Sequence, residues 1–184
     1  MFRLLVLMFL LPATSLKAAS LCDELWLTRN AIYDRAGFCF SSELGKAIFN
    51  NDDCVPQIGN FDAKTQALID QVHEEELRHQ CNVNTSRHQL DFRDWERRLQ
   101  FEDLPVPDGL ESSCLNYLGP AFPLFRARNV TSAISGKILT SDNIAYNYNG
   151  VAEWMFLTVY DDEDQIRTEG WHPGPEPVCE YYAG

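Results

Sequence analysis

No apolar run in this 184-residue chain is long enough to cross a bilayer as a helix. The longest, Leu4 to Leu11, has about eight residues against the roughly 20 required. Positive charge is also scarce: 15 Lys and Arg face 27 Asp and Glu, for a formal charge of −12. Such a surface repels a phosphate backbone, so nucleic acid is not an expected partner. No Cys-x-x-Cys pair, Gly-x-Ser-x-Gly elbow, Ser-x-x-Lys motif or phosphate loop occurs, which removes the usual signatures of zinc clusters, serine hydrolases and nucleotide enzymes. His73-Glu74-Glu75-Glu76-Leu77 nearly imitates a zinc-protease helix, but Leu77 stands where the second His belongs. His79 lies about 240° around a helix from His73, facing away from it. Asp161–Asp164 is four consecutive acids, without the alternating ligands and internal turn glycine of a calcium loop. No metal and no cofactor are expected.

What is present begins with an export signal. Arg3 precedes the apolar run, Pro12 breaks it, and Ala18, Ala19 and Ser20 supply the small residues of a cleavage site, giving a leader over residues 1–20. Leu21 is too bulky for a lipoprotein signal ahead of Cys22. Loss of Arg3 and Lys17 with the leader makes the mature chain still more acidic. All six cysteines, Cys22, Cys39, Cys54, Cys81, Cys114 and Cys179, lie beyond it. An even count in an exported chain reads as disulfides, which persist in an oxidising compartment. The expected location is the periplasm or the medium. Three bridges leave no thiolate to serve as a nucleophile.

Periodicity predicts a helix over 23–36 with Leu25, Arg29, Ile32, Tyr33 and Ala36 on one side, Asp23 and Glu24 at its start and Gly37 as its stop. Ser41 or Ser42 caps a second helix carrying Leu44, Ala47, Ile48 and Phe49. Asp62 caps a third, to about Gln80, with Leu68, Val72 and Leu77 inward. A fourth covers Asp91–Phe101 and buries Phe92, Trp95 and Leu99. Arg93, Arg97 and Arg98 on it pair locally with Asp94 and Glu96. Pro105 and Pro107 end the helical part. Beyond them, Leu124–Arg128, Ala133–Leu139, Ile144–Tyr148, Trp154–Tyr160 and Gln165–Trp171 read as strands, with Asn149-Gly150 and the acidic run as turns. The fold class is α+β: a signal at 1–20, a helical module at 21–104, a linker at 105–113, and at 114–184 a small open β-barrel ending in a proline-rich tail.

Leu25-Trp26-Leu27-Thr28-Arg29-Asn30-Ala31-Ile32-Tyr33-Asp34-Arg35-Ala36-Gly37-Phe38-Cys39-Phe40 resembles the YARHG domain of bacterial exported proteins. With Cys81, Asp103-Leu104-Pro105 and Glu111-Ser112-Ser113-Cys114 the chain is similar to the DUF4453 group, which has no established activity. The motif's naming His is Ala36 here, and its second residue is Asp34 instead of Ala. The motif residues Trp26, Arg29, Asn30, Tyr33, Arg35 and Gly37 are therefore read as structural: Gly37 stops the helix, Tyr33 packs, and Arg35 satisfies carbonyls at the helix end. Ser135–Leu139, Glu153–Val159 and Glu169-Gly170-Trp171 resemble bacterial SH3-like domains, without their usual Arg-x-Gly-Pro stretch. That resemblance implies binding of cell-wall peptides or partner proteins.

Tyr146, Tyr148, Trp154 and Trp171 are the expected ligand contacts, lining a shallow groove. Cys114 is assigned to Cys179, clamping the tail Pro173–Pro177; Cys22, Cys39, Cys54 and Cys81 pair within the helical part in an order left open. The function read is a non-catalytic binding protein of the bacterial cell envelope, recognising a cell-wall peptide or a protein. The alternatives are an acidic inhibitor or immunity protein against a basic hydrolase, and a degenerate wall hydrolase whose carboxylate pair leaves no sequence mark.

Overall fold

The computed structural model describes residues 16–184 except Arg93 and Asp162. The charged and apolar regions of the expected leader, Arg3 to Pro12, lie outside the described residues, as do one member of the basic cluster and one of the acidic run. In chain order the elements are α1 (Leu16–Arg35), α2 (Glu43–Ile48), α3 (Ala63–Arg78), α4 (Trp95–Arg98), β1 (Pro107–Tyr117), β2 (Phe122–Phe125), β3 (Ile134–Ile138), β4 (Asn143–Tyr148), β5 (Trp154–Tyr160), β6 (Ile166–Pro173) and β7 (Cys179–Ala183). No described helix is long and apolar enough to cross a membrane.

α1 starts earlier than its acids suggest. Good helix formers from Leu16 onward carry it through Ala18–Ser20, so Asp23 and Glu24 sit inside the helix, not at its N-terminus. Each has a distant partner instead. Buried Asp23 accepts from Arg87 and, at 2.6 Å, from the Asp91 amide. The helix is buried on most sides (Leu25, Trp26, Leu27, Thr28, Asn30, Ala31 and Ile32) because α2, α3 and the sheet-leading connector all pack on it. Gly37, at φ +84°, ends it in the left-handed conformation.

Ser42 caps α2, its Oγ accepting from the Gly45 amide at 3.1 Å; Ala47 is exposed. Ser42→Ala should lower stability by about 1 kcal/mol, read as a shift in the urea midpoint at unchanged slope. Asp62 caps α3 in the same way. Ile69 and Val72 form its buried face, whereas Leu77 is 65% exposed, being five residues, about 140°, beyond Val72. α4 is a single turn in place of the expected 11-residue helix. The carbonyls of Leu99, Phe101 and Glu102 are taken by the Arg35 guanidinium, so no further helical turn claims them.

All pairings in the sheet are antiparallel, in the order β3-β2-β6-β5-β4-β1-β7. β3 to β6 lie close to where β-branched and aromatic residues predicted them; β2 starts and ends earlier than the expected Leu124–Arg128, whose last three residues form a bend, and β1 and β7 were not foreseen. Leu124 and Ile138 from one end of the sheet share a cluster with Cys114 and Cys179 from the other. The sheet is thus curled, but its ladder does not close, and an SH3-like barrel is not confirmed. Nor does Asn149-Gly150 form the β4–β5 turn: the chain reverses at Ala152-Glu153, inside a Val151–Trp154 bridge, with Ala152 at φ +53°. Asp161 does organise the β5–β6 turn, accepting from the amides of Glu163 and Gln165 at 2.9 Å each.

Three disulfides staple the chain. Cys22 is bridged to Cys81, Cys39 to Cys54, and Cys114 to Cys179. The first ties α1 to the end of α3. The last ties β1 to β7.

Candidate functional site

A cleft of about 640 Å³ opens between the helices and the sheet. The end of α1 supplies Ile32, Arg35 and Ala36; α3 and its approach supply Phe61, Lys64, Ala67 and Leu68; β6 supplies Trp171, and the loops after β2 and β4 supply Arg128, Asn149 and Val151. Its far wall is the connector Glu102–Val106. The floor is apolar and the rim carries both signs of charge. Ala36, at the position of the motif's naming His, leaves that part of the wall without an imidazole.

The connector is held in place from both sides. Arg35 donates to Glu102 O at 2.9 Å and also to Phe101 O, so it satisfies carbonyls after α4, not at the end of its own helix. Trp171 Nε1 donates to Asp103 O at 2.7 Å. Burial disfavours the Asp103 charge, but Arg128, through its backbone and guanidinium, together with Lys64 outweighs that and holds the carboxyl below its ordinary range. Burial pulls Arg35 down, against the nearby acids Asp34, Asp103 and Glu102. Asn149 donates its backbone amide to Val106 O at 2.9 Å. Its side-chain Nδ2 is buried and has no partner among the described residues.

Of the four aromatics expected in one exposed groove, Tyr148, Trp154 and Trp171 come together in a packed cluster with Phe101, Phe125 and Phe156, whereas Tyr146 packs against a different one. Trp171 is 1% exposed and floors the cleft. Trp154 packs edge-on against Phe125, with ring centroids 6.2 Å apart. Tyr146 Oη is buried without a partner among the described residues, and burial, with Glu176 and Tyr182 nearby, raises its pKa. Tyr148 lies within the seam, its hydroxyl bonded to Glu24 at 3.0 Å. The physical reason is that the helical half covers this face of the sheet: Phe101 packs on Phe156, which packs on both Tyr148 and Trp171.

The motif residues have packing partners. Trp26 is against Phe49, Tyr33 against Phe38 and Phe61. Arg29 bonds Glu76 at 3.0 Å, and Asn30 Nδ2 bonds Trp26 O at 2.7 Å. No group of three or more His, Cys, Asp or Glu among the described residues could hold a metal ion.

A second constellation was missed in sequence. Arg98, expected to pair locally, is 4% exposed. It bonds Asp94 at 3.0 Å as foreseen, but also Glu24 of α1 at 2.9 Å, Glu169 of β6 at 3.4 Å, and the Tyr148 hydroxyl. Its guanidinium lies 4.5 Å from the centre of the Tyr148 ring. Glu169 is fully buried, and burial pushes its carboxyl up to about 8, Arg98 opposing and Asp94 assisting. Burial likewise raises Glu24. For Asp94 burial is outweighed by Arg98, and its pKa is lowered. One signal was available: Glu169 is two residues from Trp171 on a strand, so both occupy one face.

Comparison with known proteins supplies the family. Residues 4–78 match the YARHG domain, and residues 80–184 match a domain of unknown function, DUF4453. No curated protein and no solved structure matches the chain. Since the second match spans more than half of the residues, the protein belongs to the DUF4453 family and carries a YARHG domain ahead of it.

Proposed function

We propose that this is a non-catalytic binding protein of the bacterial cell envelope, exported by cleavage of residues 1–20 to the periplasm or beyond, and that the interdomain cleft holds a short peptide of the cell wall. The observation that carries the reading is the cleft itself: an apolar floor with few convergent polar groups is the usual form of a small-ligand site. A stem peptide offers the matching chemistry. Its apolar side chains suit Leu68, Val151 and Trp171, its carboxylates suit Lys64, whose side chain is 79% exposed, and its carbonyls suit the side-chain amide of Asn149, which has no partner among the described residues. The sequence likeness to SH3-like domains and the three disulfides support the same role outside the cytoplasm. All cysteines are bridged, which favours holding over covalent chemistry.

The test is calorimetric titration with soluble muropeptides released from purified peptidoglycan. Saturable binding is expected, and Ala67→Trp, which fills the cleft from its exposed rim, should weaken it by about tenfold or more. Equal binding by this variant would move the ligand elsewhere. Cleavage of the muropeptides would reinstate a wall hydrolase. Steeply salt-dependent capture of a cationic lysozyme-type enzyme, without muropeptide binding, would favour the inhibitor reading.

A further inference from the structure

Four elements meet at Arg98. Glu24 reaches it from α1, Asp94 from the start of α4, Glu169 from β6 and Tyr148 from β4. Arg97 faces the same group, its Nη1 donating to Ile166 O at 3.2 Å, and Tyr160 of β5 lines the adjoining cavity of about 470 Å³. That cavity already contains its cation in Arg98, so a second charged ligand is not required. What the cluster lacks is balance: three buried or half-buried carboxylates face one deeply buried guanidinium, that of Arg98, and the half-buried Arg97. A proton can supply the missing charge. Protonated Glu169 can donate to Asp94 and still offer an oxygen to Arg98.

The cluster is mechanically continuous with the cleft. Arg98 leads directly into Leu99–Leu104, the strip seated by Arg35 and Trp171 that forms the cleft wall. Glu169 and Trp171 lie on one face of β6, and Phe101 packs on the Phe156 ring beside Tyr148.

We infer that Arg98, Asp94, Glu24, Glu169 and Tyr148 form a proton-operated clasp: with Glu169 protonated the clasp draws α4 onto the sheet and seats the cleft wall, and with Glu169 ionised it loosens. The consequence for ligand affinity rests on the binding role proposed above; the clasp itself does not. Burial raises Glu169 from the ordinary 4.5 to about 8, so the closed state binds more protons than an open one. Closure is therefore complete below about 4.5, is lost progressively toward about 8, and levels off beyond. Glu24 acts in the same direction. Lowered Asp94 and raised Arg98, Tyr148 and Tyr160 titrate outside this window.

The test is amide exchange in the full chain, corrected for intrinsic rates. The amides of Glu102 and Asp103, which donate to Arg126 O, report whether the wall is seated. Their protection should fall by about tenfold or more between roughly pH 5.5 and pH 8. In E169Q, whose amide imitates the protonated carboxyl, the fall should be much smaller, the remainder coming from Glu24. A flat wild-type profile, or an equal fall in the variant, overturns the clasp. Should E169Q fail to fold, carboxyl ¹³C titration of glutamate-labelled wild type decides: a midpoint near 8 for Glu169 supports the inference, an ordinary one overturns it. Protection that follows pH without any muropeptide binding supports the clasp while removing the proposed ligand.

Discussion

Replacing Arg98 with Met will cost about 3–5 kcal/mol of folding stability near neutral pH, because removal of one partner from a buried charge group strands the others. The Arg98 guanidinium lies over the Tyr148 and Phe156 rings, so Met, while keeping an aliphatic stem, removes that contact together with the charge, and the pH dependence of the loss reports the charge part. Glu24, Asp94 and Glu169 are then desolvated without their common cation. Each carboxyl must rise in pKa, so the folded variant binds extra protons relative to the unfolded chain. Its deficit against wild type should therefore grow as pH rises above about 4.5 and shrink toward acid. Urea midpoints at about pH 5 and pH 8 check the sign. Adding Glu169→Gln to Arg98→Met should recover part of the loss at the higher pH, since one stranded charge is gone. A deficit that is the same at both pH values would mean that Arg98 acts by volume alone.

That cluster also marks the limit of what was legible in sequence. Caps are local, and Ser42 and Asp62 were readable because the acceptor and its amide lie three residues apart. Strands β3 to β6, and β2 in part, were readable because β-branched and aromatic composition is local as well. β1 was hidden by Pro105 and Pro107, which read as a linker. Yet Pro107 sits at the first position of its strand, where a missing donor is tolerated, and the register irregularity before Ser112 absorbs Asp108-Gly109. Charge pairing is a different matter. Asp23 and Glu24 look like helix-start acids until Arg87 and Arg98 are brought to them from 64 and 74 residues away. Glu169 looks like part of a closing strand until the helical half covers it. Tyr148, Trp154 and Trp171 pack beneath the helical half for the same reason: sequence shows that a strand is two-faced, and not which face another module will occupy.

The double variant Cys22→Ala with Cys81→Ala will be the more damaging of the two bridge removals in the helical half, at about 4 kcal/mol or more. The chain-entropy argument alone gives this size for a loop of 59 residues, and nearer 3 kcal/mol for the 15-residue loop closed by Cys39 and Cys54. Position adds to length. Cys22 lies two residues after the proposed cleavage site, so in the mature chain this bridge would pin the first turn of α1 to the end of α3. That turn carries Asp23 and Glu24, which reach Arg87 and Arg98. Opening the bridge therefore frees the end of the helix from which both long-range ion pairs depart, and the loss should exceed the loop-length value, with exchange protection in α1 falling first near Cys22. Urea titration of the two double variants, each with the other bridges intact, checks the order. Equal losses would show that loop length and anchorage do not govern stability here, and that the YARHG helix is held by its buried faces alone.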